Sequence, residues 1–254
     1  MTTECEILDR AAERIAAEKR GLQREREAFE AFRASVSRTQ TTTDEGGTRT
    51  GTLLEAYRET VMSTPDFEAA YDEPVSESLE TEFTPSLAES LQEDEPVTQQ
   101  FKRDLLVATN AAIEPRTGFI RVLEAEHESI RTVRETVLDI EDTLRELPAC
   151  SFRRLQFDRF VDVWETYEHA VERCDRRSEQ RQRHIANQRA IDGADVEAHA
   201  LNEYLYDDLE TEFPALRALA GTRRRIERCR REPTDPATHT PDGTGDCGLE
   251  ASSD

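Results

Sequence analysis

Lysine, aromatic residues and long apolar runs are all scarce in this chain of 254 residues. Only two of its 33 basic residues, Lys19 and Lys102, are lysines, and aromatic residues make up 6%. No apolar run approaches the roughly 18 residues that a membrane-spanning helix needs, and the first ten residues are polar and acidic. We therefore expect a protein that neither spans a membrane nor is secreted, and we place it in the cytoplasm.

The sequence motifs of common catalytic sites are also missing. The chain has no GxSxG, GxxxxGK or HExxH motif and no CxxC pair, which removes the usual signs of serine hydrolases, P-loop nucleotide sites and zinc sites. His169 and Cys174 are five positions apart, whereas two metal ligands on one helix face need a spacing of four. Solvated helix faces explain carboxylates such as Glu126 and Glu135. We predict no catalytic, cofactor-binding or metal-binding residues and expect a non-enzymatic protein.

The cysteines are few, odd in number and far apart. Such a set does not form a disulfide framework, and free thiols in a reducing compartment are the favoured state. The five positions are Cys5, Cys150, Cys174, Cys229 and Cys247.

Acidic residues dominate what is present. The 55 carboxylates against 33 basic residues give a formal charge of −22, and 35% of the residues are charged against 36% hydrophobic. Long helices that bury one stripe and solvate the rest reconcile so many charges with a folded chain. A carboxylate-rich, lysine-poor surface is typical of proteins that work in molar salt, where a Debye length of about 3 Å screens the self-repulsion. We interpret the protein as halophilic.

Heptad spacing predicts a first amphipathic helix over residues 1–36. Its second apolar row is weak, so this helix needs another helix to dock on. Residues 37–51 have no periodicity and many turn formers, which predicts a flexible linker. The apolar row of the helix is Leu8, Ile15, Leu22, Phe29 and Val36.

A helical domain is predicted over residues 52–231, with a long antiparallel hairpin at about 116–190. The apolar rows of the two hairpin helices repeat every seven residues on either side of Pro148, with Ser151 as a plausible N-cap for the second. Short helices should begin near Pro65, Pro74 and Pro85. The first helix of the hairpin carries Leu123, Ile130, Val137 and Leu144 with the offset row Val133, Ile140 and Leu147; the second carries Phe157, Trp164, Val171, Ser178 and Ile185 with Phe160, Tyr167, Cys174 and Arg181.

Beyond the hairpin, two further helices are expected before residue 231, and residues 232–254 are predicted to be disordered. That tail consists of proline, glycine and polar residues, which cannot bury enough apolar surface to order themselves. The fold class is therefore all-α: a coiled-coil-like antiparallel hairpin, additional packed helices and a disordered C-terminal tail.

Several segments resemble an uncharacterised family of helical haloarchaeal proteins. They are Ala56–Met62 followed by Pro65, Tyr71–Leu79, Tyr204–Tyr206 and Pro214–Leu216. The similarity extends to about residue 231. The family carries a domain of unknown function, so the resemblance implies a helical fold and a halophilic origin but supplies no catalytic residues.

Two surface features bear on function. The run Arg223–Arg225 with Arg228, Arg230 and Arg231 is the one basic patch, but molar salt removes the counterion-release driving force for nucleic acid. Its favoured role is to cap the last helix or to pair with the acidic segment 59–101. The heptad phase places Trp164 and Tyr167 in the core.

We therefore expect a non-enzymatic helical interaction or adaptor protein of a halophilic cytoplasm. It would engage a protein partner or self-associate through its helical stripes. The alternative is a nucleic-acid-associated regulator that uses the arginine-rich end of the last helix.

Overall fold

A computed structural model describes residues 3–41, 47–64, 74–147, 156–188 and 198–231. Within these ranges the chain forms eight α-helices, and the isolated bridge between Arg49 and Pro96 is the β-type pairing found there. The predicted all-α fold of long packed helices is confirmed, whereas the predicted disordered tail lies outside the described residues. The helices are α1 (Thr3–Arg38), α2 (Thr50–Thr60), α3 (Val75–Glu82), α4 (Pro85–Gln92), α5 (Gln99–Glu146), α6 (Phe157–Gln188), α7 (Ala198–Tyr206) and α8 (Pro214–Arg231).

Helix α1 packs along α5 in an antiparallel arrangement over nearly its whole length. Residues further along α1 pair with residues correspondingly further back along α5. The predicted need of α1 for a docking partner is met by α5, and the predicted row is buried apart from the half-buried Leu22. The polar pairs that mark this register are Asp9 with Arg134, Lys19 with Glu124, Glu25 with Arg116 and Arg33 with Asn110.

The buried apolar residues of the described ranges form three clusters. The first lies where the C-terminal half of α1 meets α2, α3, α4 and the start of α5, and its aromatic centre is Phe29, Phe32, Tyr57 and Phe83. The second joins the N-terminal half of α1 to the middle of α5 and to α7 and α8. The third joins the end of α5 to α6 and α8. Helix α8 therefore packs against α1, α5 and α6, and these four helices form a bundle.

Proline positions the short helices, as the sequence predicts. Helix α3 begins directly after Pro74, and Pro85 is the first residue of α4, where its missing N–H has no helical acceptor to lose. The predicted start near Pro65 lies outside the described residues. Pro115 stands inside α5, and on that turn the side chains of Arg116 and Thr117 donate to the carbonyls of Ala112 and Ile113.

Asp94 holds the start of α2. Its Oδ1 accepts from the Gly51 N–H at 3.1 Å, and its Oδ2 accepts from Arg49 Nε at 2.7 Å. A Cβ on residue 51 would lie 2.6 Å from Oδ1, so a larger residue there would push the Asp94 carboxylate away. In the predicted linker 37–51, α1 continues to Arg38 and the Thr50 N–H donates to the Glu95 carbonyl at 2.8 Å.

The second half of α5 and α6 form the predicted antiparallel pair, although the turn at 148–155 lies outside the described residues. The predicted rows on α5 face inward, with Leu144 and Leu147 half-buried. On α6 the predicted offset row is buried at Tyr167, Cys174 and Arg181, together with Val163 and Ala170, whereas Phe157 and Trp164 of the other predicted row are exposed. The phase predicted for Trp164 is wrong because α6 packs against α8 as well as α5, so its inward face points between two neighbours.

Candidate functional site

A carboxylate lies buried between the middle of α5 and α6. The side chain of Glu126 is 0% exposed and its oxygens accept from three residues on two other helices. Arg181 of α6 binds it with both terminal nitrogens, Nη2 to Oε1 at 2.5 Å and Nη1 to Oε2 at 2.7 Å. The Tyr206 hydroxyl of α7 donates to Oε1 at 2.6 Å, and His184 Nε2 lies 3.1 Å from Oε2. We call Glu126, Arg181, Tyr206 and His184 the buried polar cluster.

The cluster contains an ion pair and a neutral tyrosine. Burial acts to raise the pKa of Glu126, but the hydrogen bonds from His184, Arg181 and Tyr206 hold that pKa well below its ordinary value of 4.5. Burial acts to lower the pKa of Arg181, and the bonded Glu126 carboxylate raises it overall. Burial and the nearby Glu126 charge raise the pKa of Tyr206 well above 10. The carboxylate and guanidinium are thus charged, and the phenol keeps its proton.

One edge of the cluster borders a shallow groove of about 330 Å³ between α5 and α6. His184 is the member that reaches solvent there, with 26% of its side chain exposed. Ser129 stands at the same edge, where its Oγ accepts from Arg181 Nη1 at 2.9 Å. A carboxylate offers about four acceptor positions, and Arg181, Tyr206 and His184 occupy four. The arrangement therefore ties α5, α6 and α7 together.

Sequence reasoning missed this cluster. The attribution of Glu126 to a solvated face is wrong, because the residue is fully buried. Its position carried a signal: Glu126 lies one heptad before Val133 on the offset row of α5, and Arg181 lies one heptad after Cys174 on the offset row of α6. Opposite charges on two facing apolar rows indicate an ion pair across the interface.

The arginines near the end of α8 face carboxylates on neighbouring helices. Arg223 Nε lies 2.8 Å from Asp175 Oδ1, and Arg230 Nη1 lies 2.6 Å from Glu168 Oε1. Arg225 contacts the buried Glu141 of α5 at 3.2 Å. Pairing is thus observed, but these partners lie on α5 and α6 rather than in the acidic segment 59–101.

The first two turns of α6 carry a second apolar stripe, which is partly exposed to solvent, in addition to the buried one. Phe157 is 78% exposed and Trp164 is 39% exposed, so the expectation that Trp164 anchors the core is wrong, whereas Tyr167 is buried. Phe160 and Val161, both half-buried, lie between them. The Phe160 and Trp164 ring centroids are 6.0 Å apart, and the Arg230 guanidinium lies 4.9 Å from the Trp164 ring. We call Phe157, Phe160, Val161 and Trp164 the α6 stripe.

His169 and Cys174, considered above as a possible pair of metal ligands, lie in different environments. Cys174 is fully buried, and burial raises the pKa of its thiol to about 11, which makes it unreactive. His169 lies exposed beside another open groove between α5 and α6. Among the described residues no three potential metal ligands cluster. Cys5, Cys174 and Cys229 are free thiols.

The fold and the cluster together define a helical-bundle protein whose long helices are joined by a buried arginine–carboxylate pair. The chain belongs to the family DUF7260, a domain of unknown function, whose family model matches residues 6–230. This confirms the resemblance to a family of unknown function and its extent. Comparison with curated proteins and with solved structures finds no match. None of the described helices is long and apolar enough to cross a membrane.

Proposed function

We propose that the protein is a non-enzymatic interaction protein that docks another α-helix on the α6 stripe. The observation that carries the proposal is the spacing of Phe157, Phe160, Val161 and Trp164, which is i, i+3, i+4 and i+7 on one helix face, exposed at its two ends and half-buried between them. That spacing is how one helix presents anchors to another.

The energetics favour a covered stripe. An aromatic side chain buries about 150–250 Å² when it is enclosed, and burial contributes about 25 cal/mol per Å². Phe157 is thus a large anchor that the described residues leave mostly in solvent, and Trp164 keeps 39% of its surface exposed. Aromatic anchors of this kind dominate the energetics of protein interfaces.

The buried polar cluster supports a structural rather than a chemical role for the most perturbed residues. The oxygens of Glu126 are occupied by hydrogen bonds that join three helices, and Arg181 and Tyr206 are enclosed with it. A general base must come within hydrogen-bond distance of a substrate proton. The oxygens of Glu126 are already hydrogen-bonded within the protein and have no lone pair available for this. The cluster therefore acts as a support for the helices that carry the α6 stripe.

We propose further that this protein works in the salt-rich cytoplasm of a halophile. The charge of −22 and the presence of only two lysines support this. At molar salt the repulsion between the carboxylates is screened. Docking through apolar side chains keeps its driving force there, because many salts strengthen the burial of apolar surface.

The alternative of a nucleic-acid-associated regulator has less support. Phosphate contacts need basic side chains that can exchange counterions for the polyanion. Arg223, Arg225 and Arg230 already lie within 3.2 Å of carboxylate oxygens on α5 and α6. Binding nucleic acid there would first break these pairs.

Site-specific photo-crosslinking in the native cells tests the proposal. A photoreactive amino acid replaces Phe157 in the full chain, and the control places it at Val107, which is 69% exposed on α5. We expect a discrete crosslinked polypeptide from position 157, lost on the additional change Trp164→Ser, and none from position 107. Equal yields from both positions would overturn the proposed function.

A further inference from the structure

Two of the apolar clusters are connected only through α1 and α5. Helices α2, α3 and α4 contribute to the first cluster alone, and α7 and α8 contribute to the second but not to the first. Between the two clusters, no residue from 16 to 27 of α1 and none from 114 to 119 of α5 is buried. We call these two neighbouring segments the waist. Among the described helices, α1 and α5 are therefore the two that join one part of the molecule to the other.

The residues that weaken an α-helix all lie in the waist. The 36 residues of α1 contain one glycine, Gly21, and the 48 residues of α5 contain one proline and one glycine, Pro115 and Gly118. Glycine leaves the backbone of a helix freer than other residues do, and proline removes one hydrogen bond of the helix. In the register of the two helices, Gly21 lies within about one helical turn, roughly 5 Å, of the level of Gly118. Both helices are therefore weakest at the same place.

Packing does not require either glycine. A Cβ added at residue 21 or at residue 118 would have no other atom within 4 Å, and neither glycine has a positive φ. Alanine would therefore fit at both positions and would make each helix more stable. Gly221 of α8 differs, because a Cβ there would lie 2.6 Å from a carboxylate oxygen of Glu4.

We infer that the waist is a hinge at which the lobe of α2, α3 and α4 changes its angle relative to the bundle of α1, α5, α6 and α8. Two helices side by side form a ribbon that is one helix thick, and such a ribbon bends most easily perpendicular to its own plane. Hinges use a few residues that absorb the change in backbone angles, and domain motions about them take microseconds to milliseconds. The hinge requires no partner on the α6 stripe and is thus independent of the proposed function.

One arginine tethers the lobe at the hinge. Arg116 of α5 lies 2.9 Å from Glu25 of α1 and 2.6 Å from Glu82 at the end of α3. Its guanidinium also lies 4.4 Å from the centre of the Phe29 ring. These contacts join three helices at one point next to Pro115. They favour one angle of the lobe, and the angle changes when the contact with Glu82 opens.

Double electron–electron resonance on the full-length protein tests the hinge. The chain has five cysteines, so the spin labels are attached to genetically encoded amino acids by a reaction that does not involve thiols. One pair of labels, at Glu13 of α1 and Glu89 of α4, spans the waist, and a control pair at Glu13 and Glu165 of α6 lies within the bundle; all three residues are exposed. We expect the distance distribution across the waist to be at least about twice as broad as that of the control pair, because a hinge adds collective motion to that of the labels.

Alanine at both glycines should stiffen the hinge. The double variant Gly21→Ala, Gly118→Ala should narrow the distribution between residues 13 and 89 to the width of the control pair and raise the urea midpoint. The matched control Thr132→Ala, Thr143→Ala raises helix propensity on α5 outside the waist, so it should not narrow the distribution. Equal widths for the two label pairs in the natural chain would overturn the hinge. A width across the waist that the glycine changes leave unaltered, or that the threonine changes reduce equally, would overturn it as well.

Loss of the tether should have the opposite effect. Arg116→Gln removes the charge that holds Glu25 and Glu82, so the distribution between residues 13 and 89 should broaden further while the control pair keeps its width. Unchanged circular dichroism at 222 nm shows that the helices remain. A distribution that stays the same in Arg116→Gln would overturn the role of Arg116 as the tether.

Discussion

The two halves of α6 carry similar ion pairs in opposite environments. Near its C-terminal end Arg181 Nη2 lies 2.5 Å from Glu126 Oε1, and near its N-terminal end Glu168 Oε1 lies 2.6 Å from Arg230 Nη1. The first pair has side-chain exposures of 1% and 0%, whereas Arg230 and Glu168 are 28% and 48% exposed. The shortest N···O distances of the two pairs are nearly equal, but their access to water differs.

This difference decides what each pair does. A buried ion pair gains little net stability over apolar residues, but removal of one partner leaves a charge that water cannot reach. An exposed pair loses little when one partner is removed, because water replaces it. The pair at Arg181 therefore specifies how α5, α6 and α7 fit together, whereas the pair at Arg230 is a surface ion pair that contributes little to stability.

The largest expected effect comes from breaking the buried pair on one side. Glu126→Leu leaves the Arg181 guanidinium enclosed without its carboxylate, and we expect the free energy of unfolding to fall by about 3–5 kcal/mol. Urea denaturation at neutral pH, followed by circular dichroism, measures this loss.

The double variant Glu126→Leu, Arg181→Met is the matched control. It removes both charges and fills the space with apolar atoms, so most of the lost stability should return. If the double variant were as unstable as the single one, the loss would come from packing rather than from an unpaired charge.

Acid should reveal the same pair without a mutation. The folded-state pKa of Glu126 is lowered from its ordinary 4.5, so its contribution is complete above that pH and is lost as the pH falls toward the folded-state pKa. We expect the double variant to lose less stability than the natural chain below about pH 4.5. Urea titrations of both proteins across that range measure the difference, in which the other carboxylates cancel. Parallel pH curves would contradict the assignment.

The sequence predicts the helices of the fold better than the way in which α6 faces its neighbours or the buried polar cluster. The rows Leu123, Ile130 and Val137 were evident because apolar residues at heptad spacing can share a face only in a helix. The inward face of α6 is not evident from the sequence, because it depends on the position of α8. Heptad spacing that assumes a single neighbouring helix places Trp164 in the core, whereas α6 packs against two. Glu126 is hard to recognise from the sequence because the chain has 55 acidic residues and the heptad pattern is defined by apolar residues alone.

Two buried tyrosines sharpen the comparison at the level of single hydrogen bonds. Tyr206 donates to the Glu126 carboxylate at 2.6 Å, whereas the Tyr57 hydroxyl lies 2.8 Å from the neutral Ser78 hydroxyl. Hydrogen bonds to charged groups contribute about 1.5–3 kcal/mol and neutral ones about 0.5–1.5 kcal/mol. Tyr206→Phe should therefore lower the free energy of unfolding more than Tyr57→Phe in the same urea titration. The reverse order would show that Glu126 does not depend on Tyr206.

The smallest effect is expected where the exposed pair is broken. Arg230→Ala removes both the contact with Glu168 and the stacking on the Trp164 ring. Cation–π contacts at exposed sites contribute about 0.5–1 kcal/mol, and surface ion pairs about 0–1 kcal/mol. We expect a loss of about 1 kcal/mol in urea denaturation, because Glu168 becomes hydrated once Arg230 is gone. A loss as large as that of Glu126→Leu would mean that the end of α8 is enclosed when the protein is in solution, as it would be if a helix docked on the α6 stripe extended its contact from Trp164 onto Arg230.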